Sequence, residues 1–511
     1  MRASEFRLTG GLRLLLMIKF NCYEDRSGKT SSTMASKKKQ YSSVTILLLL
    51  GIFRLLTKNS PLQQSYSVNL RYHDDQKNQK KKKKVKVFLL MGQSNMIGFG
   101  TVTNDAKYRY SFFAKKDTNT SKLKWKRFLR DEENKTEGGN DNKNSAANFQ
   151  RRVRYVFTSG SGGPEKDNMI EKNQWLTMKN RNYIGVEIGI GYELGMAMAT
   201  GDNDDDILLL KSCVGNRALG WDLLPPGSPG FEVREDDYHE SRNKSNSTTI
   251  WHYAGYHQYP ERWQTGTKNG DIDDINNTNF NGTNISWYGG HQYDGDVFRA
   301  KSVLQNLRYY MGYNDSVDDS NNNEQEEFKK GEIEYEVTGI FFWQGDRDAY
   351  NNDPMYAKRY CINLERFVTA LRLDFKAPEA KFVLATLGQT QAIDGKDNNK
   401  TIQTVNDNNR KAEKALRFEM QERLVFNTQM ELPKHHRFFG NTATVYTYPL
   451  VRGRPNTGKI NKNDDNHILP SSTNHYKKSL DIYMNVGFAM GQAMVDLLAH
   501  SENDNNSNNT G

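Results

Sequence analysis

Apolar residues gather in five short runs that are separated by long polar stretches. The runs span residues 85–91, 207–211, 337–343, 381–387 and 444–448. Most of them are apolar almost throughout rather than alternating, which is typical of parallel strands covered on both faces of a sheet. The pattern therefore predicts a buried parallel sheet.

Helical periodicity fills the intervals between these runs. The predicted helices cover residues 189–200, 296–310, 355–374, 408–422 and 480–500. The alternation of strand and helix predicts an α/β fold, in which a doubly wound parallel sheet is the middle of three α/β/α layers. Binding and catalytic groups gather at the carboxyl ends of the strands in such folds. Ser94, Gly215 and Gln344 each follow a predicted strand.

Three polar intervals are predicted to be long surface insertions, at residues 101–180, 231–289 and 315–330. They are rich in asparagine and charged residues and hold little periodic apolar structure, so we expect loops there. The second interval also contains a group of aromatic residues, which either stack against sugar rings or pack the loop onto the domain. These aromatic residues are Trp251, Tyr253, Tyr256, Tyr259, Trp263, Trp287 and Tyr288.

A sharp turn is predicted directly after the first apolar run, at Gly92-Gln93-Ser94-Asn95-Met96. Glycine permits the turn without a Cβ clash, and a helix that begins near Asn95 points its free N–H groups at the serine oxygen. A serine on such a strand-to-helix turn is placed for nucleophilic attack. The alternative is that Ser94 only caps the helix, as serines after strands often do.

This turn resembles the first block of the sialate O-acetylesterase-like branch of the SGNH hydrolases, which also holds acetylxylan esterases. Further blocks follow in the family's order and extend the resemblance over residues 85–498. They are residues 184–187, with Val186 where proline is usual; residues 211–216, with Asn216 in place of a second glycine; residues 339–348, with Asp346 in place of glutamate; and His475-Tyr476.

The resemblance implies an SGNH/flavodoxin-like fold and a carbohydrate O-acetylesterase that works through a serine acyl-enzyme, without a metal or another cofactor. In this scheme Ser94 attacks the acyl carbon and His475 moves the proton. The backbone N–H groups of Ser94 and Gly215 are expected to hold the oxyanion. A side-chain amide joins them, for which Gln344 and Asn216 are the candidates. The alternative for Gln344 is a hydrogen bond that steadies the loop.

The acid that orients the histidine is not evident from the sequence. The family's aspartate, three residues before the histidine, is replaced by Ser472. Asp465, Asp348 and Asp346 are candidates to supply the carboxylate, and the remaining alternative is a Ser-His dyad. Asp346 and Asp348 are too close in sequence to flank a scissile bond as a glycosidase pair, and no histidine cluster accompanies them to bind a metal.

Four residues of these blocks are predicted to contact substrate: Gln93, Asn95, Arg217 and Trp343. The resemblance implies an acetylated sugar as the substrate and leaves the identity of the sugar open. Arg217 is a candidate partner for the carboxylate of sialic acid, or it pairs with Asp346 or Asp348. Two other functions fit the same residues, namely a glycan-binding protein without turnover and an acyltransferase between glycans.

The charge of the chain changes this picture little. The 511 residues carry a formal net charge of +10, but much of the excess lies in two lysine runs at residues 37–39 and 80–84. These runs have the composition of a targeting flank and a solvated linker. No basic motif with interleaved aromatic residues accompanies them, which argues against nucleic-acid binding.

A targeting signal is predicted near the amino terminus. The apolar run 44–56 follows the lysines at 37–39 and is shorter than the ~20 residues that a membrane-spanning helix needs, so we expect a cleaved signal or a signal anchor. Nine Asn-x-Ser/Thr acceptors between residues 119 and 399 agree with secretion, or with a site in the secretory lumen or at the cell surface. The predicted segments are a doubtful extension (1–33), the signal (34–60), a basic linker (61–84), the esterase domain (85–499) and a low-complexity tail (500–511).

Overall fold

The structure, a computed structural model, divides into two compact units, Met1–Lys81 and Lys82–Gly511. In the first unit, strands β1 (Ala3–Arg7) and β2 (Arg13–Met17) pair in antiparallel orientation. The predicted signal at 44–56 lies outside the described residues. The structure describes residues 3–7, 13–17, 84–102, 152–164, 169–178, 181–198, 205–235, 249–265, 287–313, 333–392, 410–452, 475–476 and 478–508.

The second unit holds the remaining described strands and helices. The strands are β3 (Lys84–Gly92), β4 (Gly100–Thr101), β5 (Val153–Ser159), β6 (Met169–Trp175), β7 (Tyr183–Ile184), β8 (Asp206–Ser212), β9 (Phe231–Arg234), β10 (Ile250–Tyr253), β11 (Arg262–Gln264), β12 (Glu334–Trp343), β13 (Lys381–Ala385) and β14 (Thr442–Val445). The helices are α1 (Ser94–Ile97), α2 (Glu187–Met198), α3 (His291–Gln305), α4 (Leu307–Met311), α5 (Asp346–Ala349), α6 (Met355–Asp374), α7 (Arg410–Glu431), α8 (Tyr448–Arg452) and α9 (Leu480–Asn508), with a 3₁₀ turn at Leu432–Lys434.

Seven strands form the main sheet, in the order β14-β13-β12-β3-β8-β5-β6. Every neighbouring pair is parallel except β5 and β6, which run antiparallel at one edge. Without that edge pair, the five strands follow the flavodoxin-like order 2-1-3-4-5 when they are numbered along the chain. The predicted α/β class is therefore confirmed, although the sheet is mixed rather than wholly parallel.

The continuous apolar runs arise because the sheet is covered on both faces. In β3, Val87 and Leu89 belong to one buried cluster, whereas Phe88 and Leu90 belong to the other. Successive side chains of a strand point to opposite faces, so a strand buried on both faces has no polar side. Helices α3 and α6 contribute to the first cluster and helices α2 and α9 to the second, which gives three layers.

Two of the polar intervals contain more regular structure than their sequences indicate. Strands β5 and β6 of the main sheet lie within 101–180, and strands β9, β10 and β11 form a small antiparallel sheet within 231–289. Strand β5 alternates buried and partly exposed residues, and strand β6 is largely exposed at the sheet edge. Such strands lack a continuous apolar run, so the pattern that identifies the central strands misses them. The interval 315–330 lies outside the described residues.

Helix α9 is the one helix of the described residues that is long and apolar enough to cross a membrane, over Leu480–His500. Half of its most apolar window is buried inside the protein. Tyr483, Met484 and Val486 are fully buried in the cluster that they share with α2. Its hydropathy is therefore that of a helix that packs in the core.

Candidate active site

Ser94 lies at the first position of α1, directly after the carboxyl end of β3. The turn before it is fixed by a hydrogen bond in which the Gln93 N–H donates to the Trp343 carbonyl at 3.2 Å. Gly92 has a φ of +144°, and a Cβ there would lie 2.4 Å from the Trp343 carbonyl oxygen. Only glycine fits such a position. The backbone of β12 thus determines where the serine leaves the sheet.

Gly215 follows β8, the strand beside β3, and faces Ser94. A Cβ built on Gly215 would stand 3.6 Å from the Ser94 Cβ, so the two loops are in contact and glycine keeps the space beside the serine open. Asn216 is exposed and has a φ of +58°. Asparagine adopts this left-handed conformation more readily than most residues other than glycine. The replacement of the family's second glycine is therefore compatible with the same turn.

His475 is held beside the Ser94 helix by two contacts. Its ring stacks on Phe99 at a centroid distance of 4.2 Å, and Phe99 follows α1 in the chain. The next residue, Tyr476, is buried and accepts a hydrogen bond from Asn95 Nδ2 at 3.3 Å. His475 and Tyr476 both have positive φ, a conformation that is uncommon for residues with a side chain. These contacts bring the predicted base to the same edge of the sheet as Ser94.

The surroundings of His475 favour its neutral form. Burial, followed by the charge of Lys478, lowers the pKa of the imidazole below its usual value. Its Nδ1 atom is buried and makes no hydrogen bond with any residue that the structure describes. Among the described residues, no carboxylate pairs with His475 and no hydrogen bond joins it to Ser94. A catalytic hydrogen bond is often long before substrate binds, so the arrangement suits a base that lacks an orienting acid among the described residues.

Asp346 contacts the serine turn and not the histidine. Its Oδ2 atom accepts hydrogen bonds from Gln93 Nε2 at 3.1 Å and from Asn95 Nδ2 at 2.8 Å. Its Oδ1 atom accepts a third from Gln389 Nε2 at 3.1 Å. The carboxylate therefore fastens the residues on either side of Ser94 to the loop after β12. Among the described residues, Asp346 makes no hydrogen bond to His475, so the structure gives no support to Asp346 as its acid partner.

Asp348 is fully buried and joins the loop after β8 to the loop after β12. It accepts the backbone N–H groups of Leu219 and Gly220, both at 2.9 Å, and the Gln344 amide at 2.5 Å. Burial raises its pKa to about 7, although these three donors act in the opposite direction. Asp348 is therefore also unavailable to His475. The third candidate, Asp465, lies outside the described residues and stays a prediction, as does the role of Ser472.

The side chain of Gln344 steadies the loop after β12 by hydrogen bonds, which was the alternative to its role as an oxyanion donor. Its Nε2 atom donates to the Arg217 carbonyl at 3.0 Å and to Asp348, and its Oε1 atom accepts from Tyr360 at 3.0 Å. An amide nitrogen has two hydrogens, and both are used here. The structure therefore leaves no Gln344 donor for an oxyanion. Asn216, which is exposed next to Gly215, stays the candidate for a side-chain donor.

Three of the four predicted substrate contacts are buried beneath the turn. Gln93 and Asn95 are each 1% exposed and bind Asp346. Trp343 is fully buried, donates from Nε1 to the Thr386 carbonyl at 3.1 Å, and stacks on Tyr476. Since substrate cannot reach these side chains, their expected role is corrected. They hold the serine turn in place.

Arg217 is also bound within the protein. Its Nε atom donates to Gln292 Oε1 at 3.2 Å, and one terminal nitrogen donates to Ser161. The guanidinium carbon lies 4.7 Å from the centre of the Trp287 ring. The guanidinium forms no ion pair with Asp346 or Asp348, so that expectation is wrong. Much of its hydrogen-bonding capacity is already used, which weakens the case for Arg217 as a sugar-carboxylate ligand.

A cleft of about 560 Å³ has Asn216 and Arg217 in its wall, the two residues that follow Gly215 in the chain. Its other polar groups include Asp222, Glu261 and Arg347, of which only Arg347 lies within a motif block. Burial raises the pKa of Asp222, while the Ala218 N–H and the charges of Arg217 and Arg347 lower it. The sequence does not indicate that these residues share a cleft, because they come from three separate segments that only the fold brings together.

Most of the aromatic residues of the interval 231–289 pack within the protein. Tyr253 is buried and stacks on Phe231 at 4.6 Å. Trp263 stacks on His252 at 5.3 Å. Only Tyr259 and Trp287 of the seven line the cleft. The packing interpretation therefore describes most of the group, and no continuous sugar platform is formed among the described residues.

A buried ion network lies beneath α1. Lys211, at the end of β8, donates to the Ile97 carbonyl at 3.0 Å and to Glu187 at 2.5 Å. Arg181 binds the other oxygen of Glu187 at 2.6 Å. Burial alone would raise the pKa of Glu187, but the charges of Lys211 and Arg181 outweigh burial and hold it at about 2. The network fixes the carboxyl end of the helix that Ser94 begins.

A family model covers the region that includes the motif block 339–348. Residues 275–429 match the family described as carbohydrate esterase, sialic acid-specific acetylesterase. This match confirms the resemblance that the motif blocks indicate. It contains Gln344, Asp346 and Asp348, whereas Ser94, Gly215 and His475 lie outside the matched segment. No curated protein matches the sequence.

Three solved structures that resemble this chain have low sequence identity to it. A protein from Arabidopsis thaliana is 11% identical, with 81% of this chain and 99% of that chain covered and a TM-score of 0.33. A carbohydrate acetylesterase from Xanthomonas citri is 10% identical, with coverages of 80% and 55% and a TM-score of 0.33. NanS is 11% identical, with coverages of 82% and 99% and a TM-score of 0.34.

Proposed function

We propose that this chain, whose residues 275–429 match a carbohydrate esterase family, hydrolyses acetyl esters on sugar hydroxyls through an acyl-enzyme at Ser94. One observation carries the proposal. Ser94 begins a helix at the carboxyl end of β3, and Gly215 faces it from the end of the neighbouring β8. A serine and backbone N–H groups at adjacent strand ends are the elements that acyl transfer needs.

The reaction follows from these groups. The Ser94 oxygen attacks the acetyl carbon while neutral His475 takes the serine proton. The N–H groups of Ser94 and Gly215, with the Asn216 side chain, hold the oxyanion. His475 then gives the proton to the leaving sugar oxygen as the C–O bond breaks. Water attacks the acyl-enzyme with His475 again as base, which releases acetate and restores Ser94.

The low pKa of His475 fits its part in this scheme. An imidazole that is neutral near pH 7 can accept a proton, whereas a protonated one cannot. An acid partner would hold the tautomer and stabilise the imidazolium, and its absence lowers turnover by orders of magnitude without abolishing it. We therefore propose either a Ser-His dyad or assistance from Asp465.

Hydrolysis of p-nitrophenyl acetate by the full-length protein tests the proposal. We expect Ser94→Ala and His475→Ala each to remove most of the activity. Ser302→Ala is a matched control, since Ser302 is a partly exposed serine on α3 whose hydroxyl binds the Phe298 carbonyl. A folded wild type without activity, or a Ser94→Ala variant with full activity, would overturn the proposal.

A glycan-binding protein without turnover is the second candidate. The observation that favours it is that the Nδ1 atom of His475 has no hydrogen-bond partner among the described residues, because a binding site does not need an oriented imidazole. The two candidates differ in one measurement. Binding of an acetylated oligosaccharide without release of acetate, in a protein that also fails to cleave p-nitrophenyl acetate, would support the binding protein.

We also propose that the protein enters the secretory pathway. The support is the apolar run 44–56, which follows the lysines at 37–39, together with the Asn-x-Ser/Thr acceptors. Amino-terminal sequencing of the native protein and digestion with an N-glycosidase test this. A mature protein that retains residues 1–60 and carries no N-linked glycan would contradict it.

A further inference from the structure

The cleft that Asn216 and Arg217 help to line carries charged groups of both signs. Its described lining contains two guanidinium groups, Arg217 and Arg347, and two carboxylates, Asp222 and Glu261. Arg347 directly follows Asp346, and Asp222 belongs to the turn after Gly215. The formal charges of these four groups cancel. The balance matters because a ligand in the cleft meets all four at short range.

The two arginines are not equally available to a ligand. Arg217 is bound to Gln292 and Ser161 and lies over Trp287. Arg347 is exposed and forms no hydrogen bond or ion pair with another described residue. An anionic sugar would thus have one uncommitted cation to bind. It would also have to approach two carboxylates of its own sign.

Asp222 has a fixed position in this lining. One of its oxygens accepts the Ala218 N–H at 2.8 Å, and its backbone carbonyl accepts the N–H groups of Gln292 and Tyr293. The side chain therefore cannot turn away from an incoming anion without loss of the Ala218 hydrogen bond. Like charges placed close together at a binding surface disfavour the wrong ligand.

We infer that the cleft selects neutral sugars and that its two carboxylates, Asp222 and Glu261, exclude anionic ones. Sugar hydroxyls can donate to Asp222 and Glu261 and accept from Arg347, so an uncharged sugar can satisfy both kinds of group. Trp221, Tyr259 and Tyr356 supply apolar wall for the ring faces. The inference rests on the proposed function in one respect, namely that the ligand of the cleft is the sugar portion of the ester.

The test measures binding to the full-length Ser94→Ala protein by calorimetry at low salt. The probes are xylotriose, the same trisaccharide with a glucuronic acid branch, and N-acetylneuraminic acid. We expect xylotriose to bind at least tenfold more tightly than either acid. Tighter binding of an acid, or no binding of xylotriose, overturns the inference.

Two variants identify the cause of the selectivity. Asp222→Asn keeps an oxygen for the Ala218 N–H, and we expect it to tighten binding of the acidic probes several-fold with little change for xylotriose. Glu261→Gln, at an exposed position, should have the same effect. It provides the test of the charge effect if Asp222→Asn does not fold. An unchanged ratio between neutral and acidic probes in both folded variants contradicts the role of these carboxylates.

The outcome is separable from that of the proposed function. Hydrolysis of p-nitrophenyl acetate by wild type, combined with preferred binding of an acidic probe, would keep the esterase proposal and refute the selectivity. Preferred binding of xylotriose without any hydrolysis would keep the selectivity and refute the esterase proposal.

Discussion

Substitution of Glu187 is the perturbation for which the structure gives the clearest magnitude. The side chains of Glu187 and Lys211 are fully buried, and that of Arg181 is 4% exposed. Glu187→Gln leaves both cations in place with no carboxylate. Removal of one partner from a buried ion pair costs about 3–5 kcal/mol, because the remaining charge is neither hydrated nor paired.

Substitution of Lys211 should cost less, although it removes a charge from the same network. Lys211→Met leaves Glu187 paired with Arg181, so no uncompensated charge stays buried. The variant loses the hydrogen bonds of Lys211 to Glu187 and to the Ile97 carbonyl; Glu187 keeps Arg181, whereas the Ile97 carbonyl loses its lysine partner, and a buried polar group without a partner costs about 1–3 kcal/mol. We therefore expect the glutamate variant to be the less stable of the two by about 2 kcal/mol.

Urea unfolding at pH 7, followed by tryptophan fluorescence and circular dichroism, measures these free energies. The control is Glu336→Gln, which breaks the exposed Lys84–Glu336 pair, with side chains 43% and 48% exposed. Pairs of this kind contribute about 0–1 kcal/mol. A Glu187→Gln variant that is no less stable than Glu336→Gln, or more stable than Lys211→Met, would refute the reasoning.

Three further predictions concern pH and backbone geometry. Burial raises the pKa of Asp348 to about 7, so the folded protein holds a proton on this carboxyl group at pH values where the unfolded chain has lost it. The protonated side chain stabilises the fold fully below the unfolded-state pKa, and this stabilisation is lost as pH rises through 7. The unfolding free energy of wild type should therefore fall relative to that of Asp348→Asn between about pH 4 and pH 7. Parallel curves would contradict this. The acidic limb of kcat/KM should have its midpoint below the usual histidine pKa of about 6.5, since burial and Lys478 lower the pKa of His475; a midpoint above that value would indicate a carboxylate partner. Gly92→Ala should abolish esterase activity or folding, because its Cβ would meet the Trp343 carbonyl oxygen, and an active, stable variant would refute the turn geometry.

The central strands could be predicted because burial on both faces imposes a continuous apolar run. The same pattern could not reveal β5 and β6, which alternate or lie exposed at the sheet edge. The motif blocks likewise located the turns at Ser94, Gly215 and Gln344. Each turn follows a strand, and the carboxyl ends of parallel strands lie at one edge of the sheet. What the blocks share is therefore a position in the fold.

The roles of individual side chains were harder to predict. Gln344, Gln93 and Asn95 carry amides that suit either substrate or protein partners, and only the packed structure shows that Asp346 and Asp348 bind them. Arg217 lies at the cleft but is bound by residues that are 56 and 75 positions away in the chain. Such partners follow from tertiary contacts, which local sequence does not encode.

The central claim is that Ser94 is the nucleophile and His475 its base. Covalent labelling with a fluorophosphonate probe, followed by peptide mapping, tests it most directly, because such probes react with a serine only when a base activates its hydroxyl. The account predicts a label on Ser94 alone, no label in Ser94→Ala and much slower labelling in His475→Ala. A label on another serine, or labelling of Ser94 at an unchanged rate in His475→Ala, would contradict it.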